Sequence, residues 1–322
     1  MSDRTDAGSP AAGGGSAANP ASSQAPRGSG ARDRRAAPGR DRLCIHTATN
    51  RPLPLEVAVQ EYVRAGVSGI TVWRDALAGR DAGRAGDLIR AAGLEIVSLC
   101  RGGFFVSPTE EGRAAAVEEN RAVVREAAAL GAPLVVLVCG ADPGVPLPLA
   151  RDQIRDGIER VLPLAEELGV ALAIEPLHPM YADTRSAVTD LATANTLAEQ
   201  IGSPWLGVAV DVYHLWFDPN LEHEIARAGR ARGGSEPATG IRGAAGNILA
   251  FHVCDWRSPT RDLLTDRGLM GDGCIDIPRI RGWVESAGFS GFVEVEIFST
   301  EYWAMDQRAY IERIVDAYEA HV

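Results

Sequence analysis

The chain has 322 residues, of which 46% are apolar, and a formal net charge of −11. That length and apolar content allow one large globular core, while the acidic balance and the lack of a basic stripe argue against nucleic acid as a partner. No apolar run approaches the roughly 18 residues of a membrane span, and the N-terminus lacks the apolar segment of a secretory signal.

Residues 1–40 are Gly, Ala, Ser, Pro and Arg with almost nothing to bury. Such a segment cannot offset its ordering entropy, so the sequence predicts a disordered tail ahead of a single domain over 41–322. From Leu43 the texture changes. Short apolar runs follow one another in LCIHT (43–47), GITVW (69–73), EIVSLC (95–100), LVVLVCG (134–140), ALAIE (171–175), LGVAVDVYH (206–214), ILAFHVCD (248–255) and FVEVEIF (292–298). Between them lie amphipathic stretches, among them 55–66, 112–131 and 153–169, several closed by Gly, the residue expected just past a helix end. Residues 229–246 read as a flexible Gly-rich insertion before the seventh strand.

Eight strand–helix units without hairpin signals predict a parallel sheet. The fold class is therefore α/β, and eight units in one domain fit a (β/α)8 TIM barrel. An open doubly wound sheet is the alternative, disfavoured because no Gly-rich phosphate fingerprint follows the first strand. The five cysteines, Cys44, Cys100, Cys139, Cys254 and Cys274, are odd in number and form no CxxC, which fits reduced thiols in a cytoplasmic protein.

In such a barrel, chemistry sits where the strands end. The fifth strand ends on Glu175 with His178 just beyond, and the sixth carries Asp211 and His214. The seventh carries His252 and Asp255, and the eighth Glu294 and Glu296. Trp73 and Arg101 end the second and third strands and are candidates for substrate contact. One carboxylate at a strand end is commonly a helix cap, and one His in an apolar strand is commonly a hydrogen-bonded core residue. Several buried carboxylates around one point are different, because they would repel and take up protons. A divalent cation removes the conflict. Three carboxylates and one imidazole suit Mn2+, Mg2+ or Co2+ better than a structural zinc.

ALAIEPLH, GVAVDVYH, AFHVCDW and FVEVEIF resemble the xylose isomerase-like TIM barrels of the sugar isomerase/epimerase superfamily, over Leu43 to about Tyr318. The resemblance implies one divalent metal, Mn2+ before Mg2+ or Co2+, held by Glu175, Asp211, His252 and Glu296. Glu296 is preferred to Glu294 because relatives keep the ligand five residues past the position of Gly291. Glu294 shares its facing and belongs one layer deeper. The resemblance also implies that His214 and Arg257 bind substrate, although Arg257 falls one residue short of the expected spacing. The segment 263–278 is expected to close over the mouth.

The reaction implied is isomerisation or epimerisation of a small sugar or keto-polyol through an enediolate. Glu175 and Glu296 would move protons at carbon, and His178 and His214 would move them between oxygens. The alternative is a lyase of the same superfamily, which dehydrates a keto-inositol or dehydroshikimate or cleaves a 3-keto C-glycoside, with His178 as the acid. A non-enzymatic binding barrel is the third reading. No Arg or Lys cluster for a phosphate is evident. A multi-zinc endonuclease is disfavoured by the acidic charge and by a count of only six histidines. The sequence leaves a homo-oligomer or a small partner subunit open.

Overall fold

Each apolar run becomes one strand of a closed parallel barrel. The computed structural model describes residues 37–231 and 239–322. Its strands are β1 Leu43–His46, β2 Gly69–Trp73, β3 Glu95–Gly103, β4 Leu134–Val138, β5 Ala171–Ile174, β6 Leu206–Asp211 and β7 Ile248–Val253. A two-residue antiparallel ribbon follows, β8 Asp255–Trp256 with β9 Arg267–Gly268, and β10 Val293–Val295 closes the barrel against β1. The barrel order is β1-β10-β7-β6-β5-β4-β3-β2, so all but the closing pairs join sequence neighbours.

Period-two alternation divides every strand between two environments. Leu43 and Ile45 of β1, Ile70 and Val72 of β2, Leu172 and Ile174 of β5, and Val293 and Val295 of β10 belong to the outer core with the helices. The helices that pack there include α1 Leu55–Arg64, α2 Ala82–Ala91, α3 Glu110–Leu130, α4 Leu147–Glu167 and α5 Leu191–Ile201. Inside the barrel, small residues such as Ala171, Ala173, Ala209 and Ala250 pack with Leu134, Val136 and Leu249.

Two boundaries differ most from the sequence reading. The sixth run does not stay extended to His214: β6 stops at Asp211, whose carboxylate accepts a hydrogen bond from Tyr213 N at 2.7 Å and caps the short helix α6 Val212–Leu215. Helix α4 begins at Leu147, because Pro146 and Pro148 suit the first turn of a helix. It runs through Pro163, as the stretch 153–169 predicts.

Of the expected tail, residues 1–36 lie outside the described residues. Residues 37–40 pack with the barrel: Tyr318 donates to Gly39 O at 3.3 Å, and Arg40 pairs with Glu319 at 2.5 Å. The Gly-rich stretch 229–246 begins as the end of α7 Leu221–Arg230, and its residues 232–238 lie outside the described residues. The remainder is packed. Ser290 N donates to Gly243 O at 2.8 Å. A Cβ on Gly243, which has a φ of +66°, would stand 2.3 Å from Gly291 N.

Candidate metal centre

Four strand ends converge. Glu175 follows β5, with its N–H donating to Leu137 O at 3.1 Å, and Asp211 is the last residue of β6. His252 lies in β7, and Glu296 follows β10 with its N–H donating to Val253 O at 3.1 Å. One ligating atom from each of the four lies within 4.8 Å of the others, and all four side chains are buried. Single metal–ligand bonds are roughly 2.0–2.6 Å, so this spacing fits donors around one ion.

The donors are incompletely paired with each other. His252 Nδ1 lies 2.9 Å from Glu175 Oε1, yet Asp211 Oδ2 and His252 Nε2 are buried without a hydrogen-bond partner. Unpaired buried polar atoms are uncommon in folded proteins. Burial drives the Asp211 carboxyl up to about 7 against the pull of Arg267, and Glu175 and Glu296 add to the rise. For Glu296 burial also acts upward, but Arg267 and His46 outweigh it and hold this carboxyl well below its ordinary range. The geometry and the donor set fit a candidate divalent-metal site.

Glu294 lies one layer deeper. It accepts from Thr71 Oγ1 at 2.6 Å and lies 3.1 Å from His46 Nε2, with His252 Nε2 at 3.8 Å. His46 Nδ1 is 3.0 Å from Glu296 Oε1, so this imidazole bridges two buried carboxylates. Burial alone would lower its pKa, but the bonds to Glu294 and Glu296 prevail and raise it to about 9. In that state both ring nitrogens donate. The Trp73 indole N–H also lies 3.2 Å from Nδ1, a contact it can use only when that nitrogen is unprotonated.

The mouth is covered by the segment between β8 and helix α8 Ile277–Ser286. Arg267 points inward from it and is buried. Its Nη1 donates to Glu296 Oε2 at 2.6 Å and stands 3.6 Å from Asp211 Oδ2. The guanidinium lies over the rings of Tyr213 at 4.4 Å and Phe298 at 4.9 Å. Tyr181 and Tyr213 both donate to Leu263 O. Asp255 sits under the turn and accepts from Trp256 N at 2.8 Å, Ile275 N at 3.0 Å and Gly271 N at 3.0 Å. Asp255→Ala leaves these donors unpaired, each at roughly 1–3 kcal/mol where buried. It is expected to destabilise the fold and to speed amide exchange at Gly271 and Ile275. Unchanged exchange at both would show that contacts other than those of Asp255 secure the segment.

The remaining candidates divide. His214 is buried beside the four donors: its Nδ1 accepts from His178 N at 3.2 Å, and its Nε2 is 3.3 Å from Arg267 Nη2. Burial and then Arg267 push its pKa well below the ordinary value. His178 is half-buried, with its ring 5.1 Å from Trp256 and 4.6 Å from Phe217. Its Nδ1 accepts from Met180 N at 3.1 Å, which leaves Nε2 to carry the proton of the neutral ring. Trp73 lies at the rim, 5.1 Å from the Phe298 ring. Arg101 lies over the Phe104 ring at 4.3 Å. Arg257 is not brought to the centre. It pairs with Glu301 at 2.8 Å and lies over the Tyr302 ring at 4.7 Å, so Arg267 is the arginine that reaches Glu296.

His46 and Arg267 escape sequence reasoning. The alternation of LCIHT places His46 on the same face as Cys44, a usable signal. Arg267 comes from an irregular segment with no period to read.

A family model described as Xylose isomerase-like TIM barrel matches residues 59–316. Among solved structures the chain is similar to protein SMc04130 from Sinorhizobium meliloti 1021. The identity is 45% and the TM-score 0.79, with 87% of this chain and 98% of that one covered. The structure of the IolI protein with a bound zinc atom is similar in fold at 19% identity and a TM-score of 0.70, covering 86% of this chain and 95% of that one. Inosose isomerase of Halalkalibacterium halodurans is 24% identical over 224 residues, 66% of this chain and 70% of that protein.

Proposed function

Because the chain belongs to the xylose isomerase-like TIM barrel family, we propose that it is a divalent-metal-dependent isomerase or epimerase of a sugar or keto-polyol, working through an enediolate. The observation that carries the reading is the buried set Glu175, Asp211, His252 and Glu296 with its two unpartnered donor atoms. The similar protein named inosose isomerase supports a keto-polyol as substrate. Three carboxylates with one imidazole favour Mn2+, with Mg2+ or Co2+ next. When bound, the ion would polarise the carbonyl and the neighbouring hydroxyl of the substrate.

The protein's own groups divide the rest of the work. Glu175 and Glu296, from strands separated by two others around the barrel, face the same space and exchange protons with the carbon beside the carbonyl. Glu175 has His252 as its near partner, whereas Glu296 is pinned by Arg267 and His46. His214, next to Asp211 and Arg267, moves a proton between substrate oxygens. Trp73 gives the substrate an apolar wall at the rim, and the 263–271 segment excludes water.

The lyase reading draws support from His178. Burial lowers its pKa, and its Nε2–H can donate a hydrogen bond to the oxygen of a leaving group.

The test is metal removal followed by reloading. A ligand present at about 1,000 times its Kd stabilises the folded state by roughly 4 kcal/mol. Chelation is therefore expected to lower the melting temperature, and Mn2+ to restore it together with solvent-deuterium wash-in beside the carbonyl of a ketose. Loss of a leaving group instead of exchange selects the lyase. A protein that retains no metal and melts identically with or without Mn2+ sinks both readings.

A further inference from the structure

All 32 basic side chains of this protein are arginines, since the sequence contains no lysine. Those that are half-buried are generally matched: Arg74 pairs with Glu126 at 2.6 Å, Arg227 with Glu199 at 2.6 Å, and Arg151 donates to Ala187 O at 3.0 Å. Among the described residues, Arg101 and Arg185 are the half-buried arginines whose guanidinium groups reach neither a carboxylate nor a carbonyl. Arg185 Nε is a buried atom without a hydrogen-bond partner.

Both belong to one sector of the barrel mouth. Arg101 lies in β3 over the Phe104 ring, and Arg185 follows β5 over the Tyr181 ring at 5.5 Å. Their segments meet across Gly140, whose N–H donates to Arg185 O at 2.8 Å and where a Cβ would stand 2.7 Å from Phe104 Cα. Tyr181 in turn lies edge-on to His214 at 5.9 Å, which puts this sector beside the four metal-site donors. Burial, and then the Arg185 charge, hold the Arg101 pKa below its ordinary value. Two like charges, partly desolvated and with no carboxylate in hydrogen-bond reach among the described residues, are costly, and they occur here in a chain with a surplus of acidic groups. Guanidinium groups bind carboxylates and phosphates through charge-assisted, often bidentate hydrogen bonds.

We propose that Arg101 and Arg185 receive an oxyanion carried by the substrate, so that the substrate is a carboxylated or phosphorylated sugar or keto-polyol. The inference rests on the isomerase reading for the identity of the reacting part. No Arg or Lys cluster for a phosphate is evident in the sequence, where these two arginines stand 84 residues apart.

The test uses the full chain loaded with Mn2+ and titrated calorimetrically with D-fructose, D-fructuronate and D-fructose 6-phosphate. One anion at least is expected to bind tenfold or more tightly than D-fructose, and the better of the two identifies carboxylate or phosphate. Arg185→Gln and Arg101→Gln are each expected to remove most of that advantage while metal content stays unchanged. If Arg101→Gln fails to fold, Arg185→Gln, in a loop, carries the test. Equal or weaker binding of both anions relative to D-fructose overturns the proposal, as does an advantage that survives in Arg185→Gln. Deuterium wash-in, measured in parallel, tests the reaction separately. Anion preference without exchange removes the isomerase reading and keeps the anion site, and exchange without anion preference does the reverse.

Discussion

Glu296→Gln is expected to lower turnover by about 10²–10⁴ even at saturating metal, because a positioned base contributes about that much. The amide keeps the size of the side chain and one ligating oxygen but removes the basic carboxylate. Metal should bind more weakly, since one anionic donor becomes neutral. The fold should survive, although Arg267 and His46, 2.6 Å and 3.0 Å from the carboxylate, lose a charged partner. The competing explanation is that Glu296 only balances the charge of Arg267. In that case Glu296→Gln would alter the melting temperature while saturating Mn2+ restored turnover. Metal content, melting temperature and deuterium wash-in on one preparation separate the two. Normal exchange in the metal-saturated variant excludes Glu296 as a necessary base.

His46→Leu is expected to cost roughly 3–5 kcal/mol of stability, the usual penalty for removing one member of a buried ion pair. His46 is completely buried and bridges Glu294 and Glu296. Without it Glu294 keeps Thr71 at 2.6 Å as its near donor, and two carboxylates face each other across a small apolar side chain. The double variant His46→Leu/Glu294→Leu is expected to recover much of the loss, because replacing both members of a buried pair by apolar groups is commonly neutral or better. Denaturant unfolding of the two variants measures this. A loss under about 1 kcal/mol in His46→Leu would mean that the bridge does not hold the inner carboxylates.

The parts of this molecule governed by a period were legible. Alternation in FVEVEIF put Glu294 and Glu296 on one face, and the apolar positions between them pointed to the helices, as Val293 and Val295 do. Position at the strand ends brought Glu175, Asp211 and His252 to the barrel mouth. Contacts made by irregular segments had no such signal. Arg257 and Arg267 are ten residues apart in a stretch without a repeat, and only tertiary packing decides that the second is drawn over Tyr213 and Phe298. His46 was legible as an inward side chain, but its role depends on the closure of β1 against β10, a pairing between the two ends of the domain. The early start of α4 was also open to reading, since Pro146 and Pro148 mark a first turn.

The division of each strand between an outer apolar face and an inner face that turns polar toward the mouth has an evolutionary consequence. Thermal robustness resides mainly between strands and helices, and reactivity resides along the barrel axis. Lineages, and laboratory libraries, can therefore retune Ile45, Val72 or Ile174 for heat tolerance with little cost to substrate choice. On the proposed function, rim residues such as Arg101 or Trp73 are the positions to exchange for new substrates while leaving the shell alone. His46 and Glu294 are the positions where the two freedoms meet, and there variation is expected to be narrowest.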